Sequence, residues 1–346
     1  MGPIRLTLLL LGACAAPELG HVEQSILSCP REHCGTNSCE VDNMGFHDLE
    51  VTGRVDNDAG LHISGFEQNG RSYSVVVANA QLTGASPIHG TIAGQDLVGA
   101  QIFLTHSKTL NTYAIRVASV GTLRLPIPAL PGQITEVETY ELDYSQMSGG
   151  QPVNEWKNIC GGVPFDDGGD LEYGYAEAFG QSPKHSILFE SDRIDLATMT
   201  INPRQQPQWF NIGCSGHTLA KLFLTRNASV SQGHTGDHPG RQASLKLLVG
   251  DYCGTGKPFT VAGQKLVWQG GQMTYFSTPR RLEARWDERG AVCLEQPRMD
   301  NPTTAEGAAL FPDIEAAIAA ECVRPPVCEE RSPHAPLGAL RVSANY

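Results

Sequence analysis

Leu61-His-Ile63, Tyr73-Ser-Val-Val-Val77, Leu97-Val-Gly-Ala-Gln-Ile-Phe103 and Thr112-Tyr-Ala-Ile-Arg-Val117 follow one another between Leu49 and Ile127, with glycines between them as in Leu82-Thr-Gly84 and Leu97-Val-Gly99. Runs this short, rich in β-branched and aromatic residues and bounded by turn formers, read as strands with one buried face. They predict antiparallel β structure, a small sandwich or barrel. Tyr140 to Tyr144 reads as a further strand beyond the Pro126-x-Pro128-x-x-Pro131 break. The 37 glycines and 22 prolines suit many short strands joined by tight turns and argue against a helical bundle.

From about Trp156 the elements are mixed. Ser215 is placed to cap a short helix over Thr218-Leu-Ala-Lys-Leu-Phe-Leu224, where Leu219, Leu222 and Phe223 fall on one face. Pro239 opens a second helix that carries Leu245, Leu248, Val249 and Tyr252 on one side and stops at Gly254, just after Cys253. Leu282, Ala284 and Trp286 alternate before Asp287-Glu-Arg-Gly290, and Ala291-Val-Cys-Leu294 returns, so a hairpin carries Cys293. Pro312 to Cys322 is amphipathic through Ile314, Ala317 and Ile318. The expected fold class is α+β and β-rich. An antiparallel sandwich or barrel-like part spans residues 46–150, a disulfide-stapled α+β core 151–299, and a C-terminal helix and tail 300–346.

Ahead of this lies Met1-Gly-Pro-Ile-Arg5, the apolar run Leu6 to Leu11, and Gly12-Ala13-Cys14. A basic start, a short apolar run and small residues before a cysteine have the form of a lipoprotein signal peptide. Cleavage after Ala13 would leave Cys14 as an acylated amino terminus and residues 14–45 as a cysteine-bearing tether. The run is too short to cross a bilayer, which takes about 20 apolar residues. Ala15 is not the aspartate that retains lipoproteins at the inner membrane, so the expected location is the outer membrane, on a face the sequence leaves open. The net charge of -12, or -13 once Arg5 is removed, disfavours nucleic acid and anionic lipid as partners. The expected partners are the membrane, through Cys14, and an unidentified envelope or extracellular molecule.

Ten cysteines less Cys14 leave nine: Cys29, Cys34, Cys39, Cys160, Cys214, Cys253, Cys293, Cys322 and Cys328. An exported chain meets an oxidising compartment in which thiols pair. Nine is odd, so one stands outside the framework.

Gly250-Asp-Tyr-Cys-Gly-Thr-Gly256, Phe259-Thr260, Gly263, Leu282-Glu-Ala-Arg-Trp-Asp287 and Gly290-Ala-Val-Cys-Leu294 resemble the core of the ADYC domain, a family of largely myxobacterial exported proteins and lipoproteins. Phe210-Asn-Ile-Gly-Cys214-Ser-Gly-His-Thr-Leu-Ala-Lys221 is similar to its Cys-x-x-Gly-x-Leu-Ala-Lys segment, and Trp156-x3-Cys160 to its preceding cysteine. The likeness runs from about residue 50 to 299. Gly250 stands where the family name has alanine. Leu222 and Ser244 stand where members often carry two more cysteines, as loss of one bridge would leave them. Gln232 to His238 has no counterpart. The resemblance implies a Cys160–Cys214 bridge and no reaction.

Cys214 is the best catalytic candidate, since a thiolate at a helix amino terminus is stabilised by the dipole. His185, His217, His234 and His238 are its available bases, but no nucleophile signature of a known cysteine enzyme surrounds it. Cys253, at the expected carboxyl end of a helix, is better explained by pairing with Cys293; Cys322 and Cys328 complete the disulfide set. His234 and His238 have ligand types suited to zinc or copper, yet Gly236 and Pro239 predict a loop and two ligands are a weak set. Asp166, Asp167, Asp170 and Glu172, and Asp56-Asn57-Asp58-x-Gly60, have oxygen ligands for calcium without the full calcium-loop pattern, and read as turns. No catalytic residue, metal or cofactor is therefore expected. The expected role is that of a cell-envelope binding or structural module, with a Cys214 hydrolase and a His234/His238 metal module as alternatives.

Overall fold

The computed structural model describes residues 39–126, 134–161, 184–190, 192–195, 197–202, 209–214, 217–224, 237–261, 264, 267–270, 273–274, 281–302, 305–328 and 341–344. The largest sheet is built from β1 (Asp48–Glu50), β2 (Leu61–Gln68), β3 (Gln101–His106), β4 (Thr112–Pro126), β5 (Ile134–Ser148), β6 (His185–Glu190) and β7 (Trp209–Cys214), in the order β1-β7-β6-β5-β4-β3-β2. Arg71–Ser72 extends it beyond β2, and Gln151–Pro152 and Lys157–Asn158 pair with β5. Every pairing is antiparallel. Strands from both sides of residue 150 share this sheet, so the expected division there is not a break in its hydrogen bonding.

The strands β4 and β5, 15 residues each, form the spine. Pro126 pairs with Ile134, so the proline-rich break is the turn end of a hairpin, residues 127–133 lying outside the described set. Ile115, Val117, Tyr140 and Leu142 of this hairpin lie in one hydrophobic core, while Leu123 and Val137 lie in a second. Two cores thus share one pair of strands. A three-stranded sheet (Ser74–Ala78, Gln81–Ser86, Gly90–Ala93) is fastened to the spine by the Tyr140 hydroxyl, which accepts from Leu82 N–H at 2.7 Å and donates to Glu138 at 2.7 Å. The expected strand from Leu97 to Phe103 starts late. Gly94–Leu97 is a 3-10 turn, and Gly99, at φ +86, bends the chain before β3 begins at Gln101.

The second core is covered by α1 (Thr218–Leu224) and α2 (His238–Val249), followed by β8 (Val267–Gly270), β9 (Leu282–Asp287), β10 (Gly290–Leu294), α3 (Ile314–Glu321) and β11 (Arg341–Ala344). The strands make a five-stranded sheet in the order Met273–Thr274, β8, β11, β9, β10. The helix α1 lies against β7 because residue 213 is glycine: a Cβ there would stand 2.8 Å from the Ala220 nitrogen. Asp237 caps α2 through Gly240 N–H at 2.9 Å, with Pro239 in the first turn. The expected end at Gly254 is corrected to Val249. Gly250 takes the left-handed conformation at φ +68, and its N–H and that of Asp251 close on Leu247 and Lys246 carbonyls. Cys253 therefore lies in the turn beyond the helix.

Among the described residues three disulfides tie these parts together. Cys160–Cys214 joins the chain after β5 to the end of β7, as the resemblance implied. Cys253 pairs with Cys322 and Cys293 with Cys328, which corrects the expected Cys253–Cys293 bridge. The reason lies in the packing: Cys253 abuts the Ile318 carbonyl near the end of α3, while Leu294 N–H bonds to the Pro326 carbonyl and brings Cys328 beside Cys293. Cys39 is free and buried, its thiol donating to the Phe46 carbonyl at 3.0 Å, and burial raises its pKa far above the ordinary range. Cys29 and Cys34 lie outside the described residues. The fold is β-rich and α+β, with antiparallel sheets and a stapled C-terminal part. No helix among the described residues is long and apolar enough to cross a membrane.

Candidate functional site

The tetrapeptide Gly250-Asp-Tyr-Cys253 is the hub of a buried polar cluster. Asp251 accepts from Lys246 Nζ at 2.6 Å and from Gly256 N–H at 2.9 Å, and the same ammonium reaches the Thr198 carbonyl at 2.8 Å. The Tyr252 hydroxyl donates to Glu283 Oε1 at 2.6 Å and accepts from Arg298 N–H at 3.0 Å. Its ring stacks on Trp286 with centroids 5.3 Å apart. Arg298 completes the cluster, giving Nε to Glu283 Oε1 at 2.7 Å and its two terminal nitrogens to the Leu248 and Leu247 carbonyls at 3.2 and 2.6 Å. These carbonyls belong to the last turn of α2, where a helix leaves acceptors unpaired and favours positive charge. The tight turn after the signature needs glycine, since a Cβ on Gly254 (φ +71) would lie 1.8 Å from the Arg289 carbonyl oxygen.

Glu283 reaches this hub because β9 is irregular. In a regular strand residues 283 and 286 point to opposite faces, yet here both side chains touch Tyr252. Register shifts fall between Leu282 and Ala284 against β11, and between Arg285 and Trp286 against β10. A bulge of this kind re-aims a side chain.

The electrostatics follow from burial. Tyr252 is held far above the usual phenol pKa, first by burial and then by Glu283 beside it, so it remains a hydrogen-bond donor. Burial works hardest against the Arg298 cation, but the Glu283 carboxylate and the Tyr252 phenol together outweigh it and the guanidinium pKa rises. Glu283 Oε2 and Asp251 Oδ1 are buried without a hydrogen-bond partner, so each carboxylate relies on its other oxygen. Lys221, partly exposed on α1, is pushed down to about 8 by burial and then by the Arg298 charge. Its ordinary value is 10.5. Between these values the unfolded chain holds a proton that the folded chain has released, so stability rises with pH across that window; below it both states are charged and the penalty stands in full. Unfolding midpoints in urea from about pH 7 to 9.5 are expected to rise in the native chain and to stay flat, for this contribution, in Lys221→Met.

The chemistry expected of Cys214 does not arise here. It ends β7 rather than opening α1, and its sulfur is bonded to Cys160, so no thiolate forms. His185 bonds to Thr139 Oγ1 at 3.0 Å, and burial lowers its pKa against the opposing charge of Glu141. His217 is buried. The loop expected around His238 is instead the first residue of α2, with Nε2 on the Ile201 carbonyl at 3.0 Å. His234, Asp166, Asp167, Asp170 and Glu172 lie outside the described residues. Asp56 binds His62 Nδ1 at 2.8 Å, Asn57 closes a turn on Ala59 and Leu61, and Asp58 pairs with Arg193 at 2.6 Å. Among the described residues no three His, Cys, Asp or Glu side chains are placed to hold a metal. Sequence reasoning missed Glu283, Arg298 and Lys246. The available signal was three charged residues, Glu283, Arg285 and Asp287, in a strand that alternates with Leu282, Ala284 and Trp286, since such residue types are seldom buried without a partner.

The model of the ADYC domain matches residues 94–300, the span that holds β4 to β7, both helices and the whole polar hub. No curated protein and no solved structure matches the chain. With more than half of its length inside that match, and the signature tetrapeptide at the centre of its second core, the chain belongs to the ADYC domain family.

Proposed function

We propose that this chain is a lipid-anchored module of the cell envelope, attached through Cys14, that binds an envelope or extracellular partner and performs no catalysis of its own. The observation that carries the reading is the fate of its reactive groups. The sulfur best placed by sequence for nucleophilic attack is bridged, and the signature's charged side chains are buried and bonded to one another. Three bridges fit an oxidising compartment outside the cytoplasm. Lipid attachment to the outer membrane adds to that location the short apolar leader and Ala15 after Cys14.

The test is expression of the full chain in a Gram-negative host with labelled palmitate, followed by alkylation of the folded protein before and after reduction. The expected product begins at an acylated Cys14. Among the described cysteines, Cys39 is alkylated only after unfolding and the six bridged ones only after reduction. An uncut leader with reduced sulfurs overturns the reading, and alkylation of Cys214 in the folded, unreduced protein revives the hydrolase.

A further inference from the structure

Lys221 lies on α1 among Leu219, Ala220, Leu222 and Phe223, all buried in the second core. Its own side chain stays partly exposed and reaches solvent. Among the described residues its amine has no hydrogen bond and no ion pair, whereas Asp251, Glu283, Lys246 and Arg298 of the hub are all bonded. The chain has seven lysines. Lys184, Lys246 and Lys257 face carboxylates at 3.8, 2.6 and 3.3 Å, Lys108 and Lys157 are exposed, and Lys265 lies outside the described residues. Among the described lysines, only Lys221 combines a partly buried position with the lack of a carboxylate.

The charge that acts on this amine is a second cation, the Arg298 guanidinium. Arg298 cannot swing away, because Glu283 and two carbonyls of α2 hold it. Glu283 does not cancel it at Lys221, where the guanidinium still lowers the amine's pKa. Loss of water and a like charge both favour the neutral amine over the ammonium. A lysine desolvated beside another cationic group is the arrangement that makes an amine a nucleophile near neutral pH. On a chain of net charge -12 this is a fixed positive site, and it draws an anion. A carbonyl carbon is the electrophile that an amine takes up reversibly, as a binding module requires.

We propose that Lys221 is a covalent binding site for a small carbonyl compound that carries a carboxylate, held as an imine. The Nζ lone pair attacks the carbonyl carbon and the carbonyl oxygen takes a proton from solvent. The nitrogen returns one proton to solvent, leaving a carbinolamine. Loss of its hydroxyl with the remaining N–H proton, as water, leaves a C=N bond to Nζ. No oxidant or reductant is consumed, and hydrolysis runs the same steps backwards, so the site binds without turnover. It adds a small ligand to the binding role above and does not depend on the lipid anchor.

At about pH 7, where an ordinary lysine is almost wholly protonated, the oxidised full chain is treated with glyoxylate and cyanoborohydride. The borohydride reduces the imine to a stable carboxymethyl amine, and peptide mass mapping locates it. Lys221 is expected to be labelled at least about tenfold faster than the exposed Lys108, and to lose that lead in urea. Glycolaldehyde, of the same length without the charge, is expected to show a lead smaller by about threefold or more. The rate at Lys221 is expected to level off above about pH 8. Lys221→Arg keeps the charge, removes the nucleophile and is expected to abolish the fast uptake. Mapping of the native chain decides the matter even if that variant does not fold. Equal labelling of Lys221 and Lys108, a lead that survives in urea, or equal leads with the two aldehydes each overturns the proposal. Those results leave the envelope reading to its own test of acylation and thiol state.

Discussion

Arg298→Ala is expected to destabilise the oxidised chain by about 3–5 kcal/mol, the cost of leaving one partner of a buried ion pair uncompensated. Glu283 is fully buried, and among the described residues Arg298 is its one cationic hydrogen-bond donor. Removing the guanidinium also takes its bonds from the Leu248 and Leu247 carbonyls at the end of α2, where Leu247 keeps the Gly250 N–H. Urea unfolding followed by Trp fluorescence checks it, since Trp286 stacks on the Tyr252 that Glu283 holds. Arg298→Met combined with Glu283→Leu is expected to recover most of the loss, because taking out both charges also removes their desolvation cost. If Arg298→Ala alone leaves the midpoint within about 0.5 kcal/mol of native, the surface norm, the hub is not what secures this core.

Loss of the Cys253–Cys322 bridge, through Cys253→Ser with Cys322→Ser, is expected to cost about 2–5 kcal/mol. This bridge spans the longest sequence separation of the three, 69 residues against 54 and 35. Loop-closure entropy makes its removal worse than that of Cys293–Cys328 by roughly 0.6 kcal/mol, from the logarithm of the ratio of 69 to 35. Cys253 is also the last residue of the signature, so its release frees the turn that positions Tyr252. Paired thermal scans of the two double variants decide the order. A Cys293–Cys328 variant that melts well below the Cys253–Cys322 variant would show native packing, rather than chain entropy, governing these bridges.

Much of this architecture was legible along the chain because it depends on local chemistry. Alternation in Thr112 to Val117 and in Leu282 to Trp286 marks strands, Pro239 marks the opening of α2, and Asp287-Glu-Arg-Gly290 marks a hairpin. The amphipathic run from Pro312 to Cys322 marks α3, with Ile314 and Ile318 on its apolar face. The signature residues of the family were equally legible, but not that Gly250, rather than Gly254, turns left-handed to end α2. Partnership was not. The sequence points Cys253 to Cys293 in the expected hairpin, whereas α3 brings Cys322 to it. Ser215 and Thr218 after it make Cys214 read as a helix-terminal thiol, but it ends β7 and is bonded to Cys160, which follows the Lys157–Asn158 strand on β5.

By itself the sequence determined which segments are strands and helices, that most sulfurs act as staples, and which tetrapeptide names the family, since periodicity, turn residues and motif spacing are written in adjacent positions. Only the tertiary structure decided that Glu283 bends through two irregularities to meet Tyr252 and Arg298, and that each sulfur finds the partner it does. Such outcomes depend on how distant segments meet, and a meeting fixed by burial, which has no direction of its own, leaves no spacing rule in the chain to read.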